Sequence, residues 1–129
     1  MILKAAVAMG TAALGAFVAH SRPGCETPFF CSLEALTVSE RAEHLTLSAR
    51  LVDAVFETAE LSDGYSFQID RARISLKELA TWSEFERRCC PFFDFTLVSG
   101  RESGSLSLRL TGRNGVKPFI RSEFSRIFR

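Results

Sequence analysis

Two adjacent cysteines, Cys89 and Cys90, are the most unusual chemical feature of this 129-residue chain. They precede Pro91, which disfavours helical backbone at the residue before it, so the two thiols lie where a helix is expected to give way to a strand. Sulfur is a soft, polarisable donor, and adjacent thiols can bind a soft metal or metalloid ion. Cys89, Cys90 and Cys31 are therefore the candidate metal ligands. A disulfide and simple burial of small apolar side chains are the alternatives for the adjacent pair.

A reactive thiol is less favoured at this position. The C-terminus of a helix carries the negative end of the helix dipole, which raises the pKa of a thiol, whereas redox enzymes place the attacking cysteine at a helix N-terminus. Arg87 and Arg88 act in the opposite sense and favour a thiolate. The spacing of apolar residues around His44 predicts a surface or boundary histidine rather than the partner of a nucleophilic cysteine. No catalytic or cofactor-binding residue is assigned, and a thiol-based enzyme is the third hypothesis.

A second pair of cysteines, Cys25 and Cys31, lies in residues 22–32, which contain two prolines and a glycine. This composition predicts an irregular arm. In an oxidising compartment a Cys25–Cys31 disulfide is favoured, or a link from this arm to Cys89 or Cys90. Neither pair has the two-residue spacing of a zinc knuckle, so the support for a structural zinc site is weak.

Residues 1–21 differ in character from the rest of the chain. Lys4 is their only charged residue, and an apolar run follows over residues 5–19. The run is shorter than the roughly 20 residues of a membrane-spanning helix but fits the apolar region of a secretory signal peptide. We therefore expect no stable transmembrane span. The protein is exported or periplasmic if this leader is cleaved, and cytoplasmic if the start codon is misassigned; a short uncleaved anchor is the third reading.

The overall composition excludes some classes of partner. Sixteen basic and 15 acidic residues give a formal net charge of +1, which does not suggest a protein that binds nucleic acid or a polybasic membrane-binding protein. The 12 phenylalanines are expected to pack in the core, because they fall on apolar faces without interleaved basic residues. A structural or protein-interaction domain, with its cysteines in the core or in disulfides, is the main alternative to an ion-binding domain.

Apolar periodicity and helix-capping signals indicate six elements. The capping boxes Thr37–Glu40 and Ser75–Glu78 each predict the start of a helix. The expected elements, in chain order, are a helix over 38–59, a strand over 65–69, a helix over 75–88, an antiparallel pair of strands over 93–97 and 106–110, and a helix from 116. Each strand is apolar on one face only. We therefore predict an α+β two-layer sandwich, in the order helix-strand-helix-strand-strand-helix, with a three-stranded, mostly antiparallel sheet covered by helices on one face. Residues 33–129 form its single domain.

The segment Glu86-Arg-Arg-Cys-Cys-Pro-Phe-Phe-Asp-Phe95 resembles the Glu-Arg-x-Cys-Cys-Pro-Phe motif of a family of small uncharacterised bacterial proteins. The strand over 106–112 and the segment Gly115-Val-Lys-Pro-Phe119 are similar to the same family, and the resemblance covers most of residues 31–128. It implies the α+β fold and singles out Cys31 together with the two adjacent cysteines. It implies no activity. Many relatives begin near the position of Cys31, so the leader departs from the family's pattern.

Cleavage of the leader is testable by mass. Signal peptidase recognises small residues before the cut, and Ala19 and Ser21 supply them. We expect protein isolated from its native host to begin at Arg22, as measured by intact mass spectrometry and N-terminal peptide mapping. A mass that includes residues 1–21 would contradict the cleavage.

Overall fold

The computed structural model describes residues 27–128, which contain three α-helices and four β-strands. The predictions for residues 1–21 and for Cys25 lie outside this range. The elements are a short 3-10 turn (Leu33–Ala35), α1 (Val38–Ala54), β1 (Val55–Leu61), β2 (Gly64–Ile69), α2 (Leu76–Cys89), β3 (Asp94–Ser99), β4 (Leu106–Thr111) and α3 (Val116–Glu123). None of the helices within residues 27–128 is long and apolar enough to cross a membrane.

The four strands form one antiparallel sheet in the order β1-β2-β4-β3. Two hairpins, β1–β2 and β3–β4, are joined through α2, and their inner strands β2 and β4 pair in the middle of the sheet. Buried apolar residues alternate along these central strands: Tyr65, Phe67 and Ile69 on β2, and Leu106, Leu108 and Leu110 on β4. The α2 and α3 helices pack against the sheet, and α1 packs against α2. The predicted α+β class is confirmed.

The prediction of a three-stranded sheet is wrong, because a fourth strand lies within the first predicted helix. The α1 helix ends at Ala54 instead of continuing to about residue 59, and Val55–Leu61 forms β1. This segment contains β-branched and aromatic residues, which favour a strand, and β2 pairs with every residue of it except Phe56, where the register shifts. The observed order is therefore helix-strand-strand-helix-strand-strand-helix. A local apolar spacing that also suits a helix was overridden by pairing across the hairpin.

The two predicted capping boxes are both formed. The Thr37 hydroxyl accepts a hydrogen bond from the Glu40 N–H (3.1 Å), and the Glu40 carboxylate accepts one from the Thr37 N–H (2.9 Å). Ser75 and Glu78 make the same reciprocal pair at the start of α2. The α2 helix ends at Cys89, as the following proline predicted. Each helix that supplies a site residue thus begins at a point encoded locally in the sequence.

The interior is closed by aromatic packing, although not every phenylalanine takes part in it. Trp82 on α2 is fully buried, and its indole N–H donates a hydrogen bond to the Ser48 hydroxyl on α1 (2.9 Å). Before the first helix, the Phe29 ring packs edge-on against Phe92, with 5.0 Å between their centroids. By contrast, Phe56 is 69% exposed, and Phe30 is also largely in solvent. The prediction that the phenylalanines form the core is therefore wrong at these two positions.

Gly64 allows the central strands to approach closely, which gives a stability prediction. A Cβ atom at this position would lie 1.9 Å from the backbone carbonyl oxygen of Leu110. We expect Gly64→Ala to lower the free energy of unfolding by about 2 kcal/mol or more, measured by denaturant titration. Ser66→Ala on the same strand is the matched control and should change it by less than about 1 kcal/mol. Equal stabilities of the two variants would rule out this constraint.

Candidate functional site

The site is built at the C-terminal end of α2. Cys89 is the last residue of the helix and Cys90 caps it, with the Cys90 N–H donating to the Glu86 carbonyl oxygen (2.6 Å). Both cysteine side chains are fully buried. The apolar stripe that contains Trp82 turns Cys89 inward, as the helical spacing predicted. The adjacent thiols therefore lie beneath the surface of the domain.

A backbone hydrogen bond brings the third thiol to this helix end. The Ser32 N–H donates to the carbonyl oxygen of Cys89 (2.9 Å), one of the carbonyls that a helix leaves without an internal partner. It holds the partly exposed Cys31 against the two buried cysteines, and the Sγ atoms of all three lie within 4.8 Å of one another. The three thiols are free in the structure. The predicted Cys25–Cys31 disulfide involves a residue outside the described part of the chain.

A buried histidine and carboxylate lie beside the thiols. His44 on α1 and Glu86 on α2 are 4% and 3% exposed, and Nε2 of the imidazole lies 2.9 Å from Oε2 of the carboxylate. The prediction that His44 is a surface or boundary residue is wrong, since α1 packs it against the rings of Trp82 and Phe85. Glu86 was not singled out from the sequence. The sequence feature that could have identified it is its position, because Glu86 is a charged residue on the helix face that carries the apolar stripe from Trp82 to Cys89.

These two residues form a second donor group that shares Cys89. The Cys89 Sγ lies 4.0 Å from Nε2 of His44 and 3.9 Å from Oε2 of Glu86. In a catalytic triad the carboxylate binds the imidazole nitrogen that faces away from the nucleophile. Here the carboxylate and the thiol approach the same nitrogen, and Nδ1 has no hydrogen-bond partner within residues 27–128. The arrangement therefore lacks the oriented base of a triad, while its donor atoms are close enough together to hold a metal ion.

The three thiols differ strongly in acidity. The thiols of Cys89 and Cys90 can donate hydrogen bonds to a Cys31 thiolate, which with the nearby His44 lowers the pKa of Cys31 to about 3 against the effect of its burial. The same contact with Cys31 raises the pKa of Cys89 to about 12, with burial and the charge of Glu86 adding to it. Cys90 has a raised pKa for the same reasons. The contacts among the three thiols therefore favour the thiolate form at Cys31 over Cys89 and Cys90.

Arg88 links the start of α1 and the 3-10 turn to the end of α2 and does not bind the Cys31 thiolate. Its guanidinium binds the Glu40 carboxylate at the start of α1 (2.5 Å) and donates to the carbonyl oxygen of Ala35 in the 3-10 turn (2.8 Å). This ion pair lowers the pKa of Glu40 to about 2. Arg87 points elsewhere and pairs with Glu84 on the exposed face of α2 (3.2 Å). Of the two arginines beside the adjacent cysteines, one therefore has an architectural role.

A cleft of about 630 Å³ opens on one side of the cluster, between α1, α3 and residues 29–33. Cys31, His44 and Glu86 reach its wall, whereas Cys89 and Cys90 lie behind them. Glu123 from α3 also lines it, and burial raises the pKa of its carboxyl group. The cleft thus brings solvent to Cys31, the partly exposed member of the cluster.

No protein-family model, curated protein or solved structure matches this chain. The resemblance of the Glu86–Phe95 segment to a bacterial family stays a prediction from the sequence. The function is accordingly argued from the geometry of the site.

The low pKa of Cys31 has a kinetic consequence. Its thiolate should persist well below neutral pH, so its rate of modification by iodoacetamide should be nearly constant between about pH 5 and pH 8. An ordinary thiol reacts about tenfold faster for each pH unit over this range, because only its thiolate is nucleophilic. Peptide mapping of the native protein measures the rate at Cys31.

Cys89→Ala and Cys90→Ala, made together, are the test of the cause, because alanine, unlike serine, cannot donate a hydrogen bond to Cys31. Without the two thiol donors the pKa of Cys31 should rise towards the ordinary value, and the rate should regain its dependence on pH. A wild-type rate that climbs steeply with pH would show that Cys31 is an ordinary thiol.

Proposed function

We propose that this protein binds a soft metal or metalloid ion through Cys31, Cys89 and Cys90. The observation that supports the proposal is the convergence of three free thiols, from two distant parts of the chain, to within 4.8 Å. An ion about 2.3 Å from each of three sulfur atoms would hold them roughly 4 Å apart. Small shifts of the side chains would therefore complete the site.

The donor set favours an ion that accepts three sulfur ligands. Structural zinc is almost always four-coordinate and tetrahedral. Within residues 27–128 the three cysteines form one group of three donor atoms, and His44 and Glu86 form a second group that shares Cys89 with it. Soft thiolate ligands select ions such as Cu(I), and trivalent arsenic also bonds readily to three thiols. Cu(I) and trivalent arsenic are thus the best fits.

The binding reaction with trivalent arsenic requires no change of oxidation state. Arsenous acid has three As–O bonds, which break as three As–S bonds form to Cys31, Cys89 and Cys90. Each oxygen leaves as water, taking a proton from the thiol that replaces it or, for the Cys31 thiolate, from solvent. Two of the three sulfur atoms are fully buried, so the completed site would be protected from competing water.

Thiol redox chemistry is a second candidate, and the observation that favours it is the position of the partly exposed Cys31 beside two further thiols. An accessible cysteine next to a resolving cysteine is typical of redox sensors, and the lowered pKa of Cys31 agrees with this role. A peroxide would oxidise the Cys31 thiolate to a sulfenic acid and be reduced to an alcohol or water. The thiol of Cys89 or Cys90 would then displace water from the sulfenic acid to form a disulfide. The clustering of all three sulfurs, where this reaction needs two, makes ion binding the preferred function.

Native mass spectrometry of the reduced full-length protein with arsenite tests the proposal. We expect one arsenic atom per chain, with loss of three water molecules. Cys31→Ser should weaken arsenite binding by about tenfold or more, equivalent to about 1.4 kcal/mol, because one As–S bond is lost. Cys25→Ser is the matched control and should retain the adduct unchanged.

Cys31 is the decisive position for this test because its side chain is partly exposed, so its replacement spares the core. Thermal melting of each variant checks that the fold is retained. The absence of an adduct, or an adduct unaffected by Cys31→Ser, would overturn the proposal and favour a structural role for the thiols. A two-hydrogen mass loss after peroxide, without arsenite binding, would favour the redox function instead.

A further inference from the structure

We infer that the cleft beside Cys31 receives an organic group carried by the bound ion, so that the site also takes trivalent arsenic with one apolar organic substituent, held by two of the three thiols. This inference rests on the proposed function, because it assigns the ligand class to the same thiols. An inorganic ion would be held by the sulfur atoms alone and would leave the cleft without a role.

The size and lining of the cleft suit an organic group. Its volume of about 630 Å³ lies within the range of about 300–1,000 Å³ that is typical of small-molecule sites. Much of the wall is apolar and comes from the arm, α1 and the α3 region: Phe29, Leu45, Ala49, Val52, Phe119 and Phe124. Transfer of an aromatic or alkyl group from water to such a wall is favourable. A metal ion or an oxyanion would gain no hydrophobic stabilisation from this apolar wall.

The cleft is also continuous with the thiols. Cys31 is the one cysteine of the cluster that lines it, and Cys89 and Cys90 lie immediately behind. A ligand that enters through the cleft therefore meets Cys31 first. When arsenic is bound by Cys31 and one of the buried thiols, its third bond is to carbon. The cleft gives that carbon substituent a place away from the buried sulfur atoms.

Binding of this ligand class is balanced without an oxidant or a reductant. The hydrated ligand carries two As–OH bonds and one As–C bond. Two As–S bonds form, the two As–O bonds break, and the oxygens leave as two waters with protons from a thiol or from solvent. The As–C bond is unchanged. His44 and Glu86 also line the cleft, about 4 Å from the Cys89 sulfur, and can hydrogen-bond to the departing water.

The experiment compares two ligands that differ only in the organic group. Phenylarsine oxide and methylarsonous acid each bond to two thiols, so competition against dithiothreitol normalises their intrinsic affinity for sulfur. We expect the reduced full-length protein to favour the phenyl ligand over the methyl ligand by about tenfold after normalisation. Val52→Trp, which fills the cleft, should abolish that preference. Val38 lies on the same helix but is 81% exposed and outside the cleft, so Val38→Trp should retain the preference for the phenyl ligand.

Arsenite binding by the same variants separates the two proposals. If Val52→Trp binds arsenite normally but loses the phenyl preference, the inference is supported and the variant is shown to be folded. Ala49→Phe, which intrudes from an exposed position, provides the same test if Val52→Trp does not fold. Equal normalised affinities for the two organic ligands, or a preference unchanged by filling the cleft, would overturn the inference while leaving ion binding intact. Failure of every arsenical to bind would overturn the proposed function itself.

Discussion

The hydrogen bond from the Ser32 N–H to the Cys89 carbonyl oxygen is the contact on which the site depends. The last carbonyls of a helix have no partner within the helix, and burial without one is costly. The segment before α1 supplies a donor and in doing so places Cys31 against the two buried thiols. Arg88 strengthens the same junction by binding Glu40 and the 3-10 turn. A requirement of helix termination thus brings Cys31 to two adjacent thiols from which it is far apart in the chain.

Burial of polar groups sets the chemical character of this junction. His44 and Glu86 are removed from water almost completely, and their mutual contact offsets part of the cost of burying them. The contact with Cys31 is the main cause that raises the pKa of Cys89, and burial and the charge of Glu86 add to it. The same contact lowers the pKa of Cys31, which is the partly exposed thiol that lines the cleft.

Much of the fold follows from local signals, and the exception is informative. The capping boxes at Thr37 and Ser75 begin the helices because the side chain and backbone groups involved are only three residues apart. The β3–β4 hairpin and the end of α2 depend on similarly local patterns. Residues 55–61, however, carry apolar spacing that suits a helix, and they become β1 because β2 lies alongside to pair with them. Because this pairing joins two segments of the chain, it cannot be predicted from the residues of either segment alone.

The sequence by itself determined the α+β class, the starts of α1 and α2, the end of α2 and the unusual nature of Cys89 and Cys90, because these depend on neighbours within one or two helical turns. Only the tertiary structure decided that Cys31 lies against these two thiols and that His44 and Glu86 join them. His44 is buried because α1 packs on α2, and Glu86 finds a partner only through that packing. Cys31 reaches the cluster through a backbone contact that carries no residue-specific signal. Proximity between distant segments is a property of the packed chain, and the chemistry of this site arises from it.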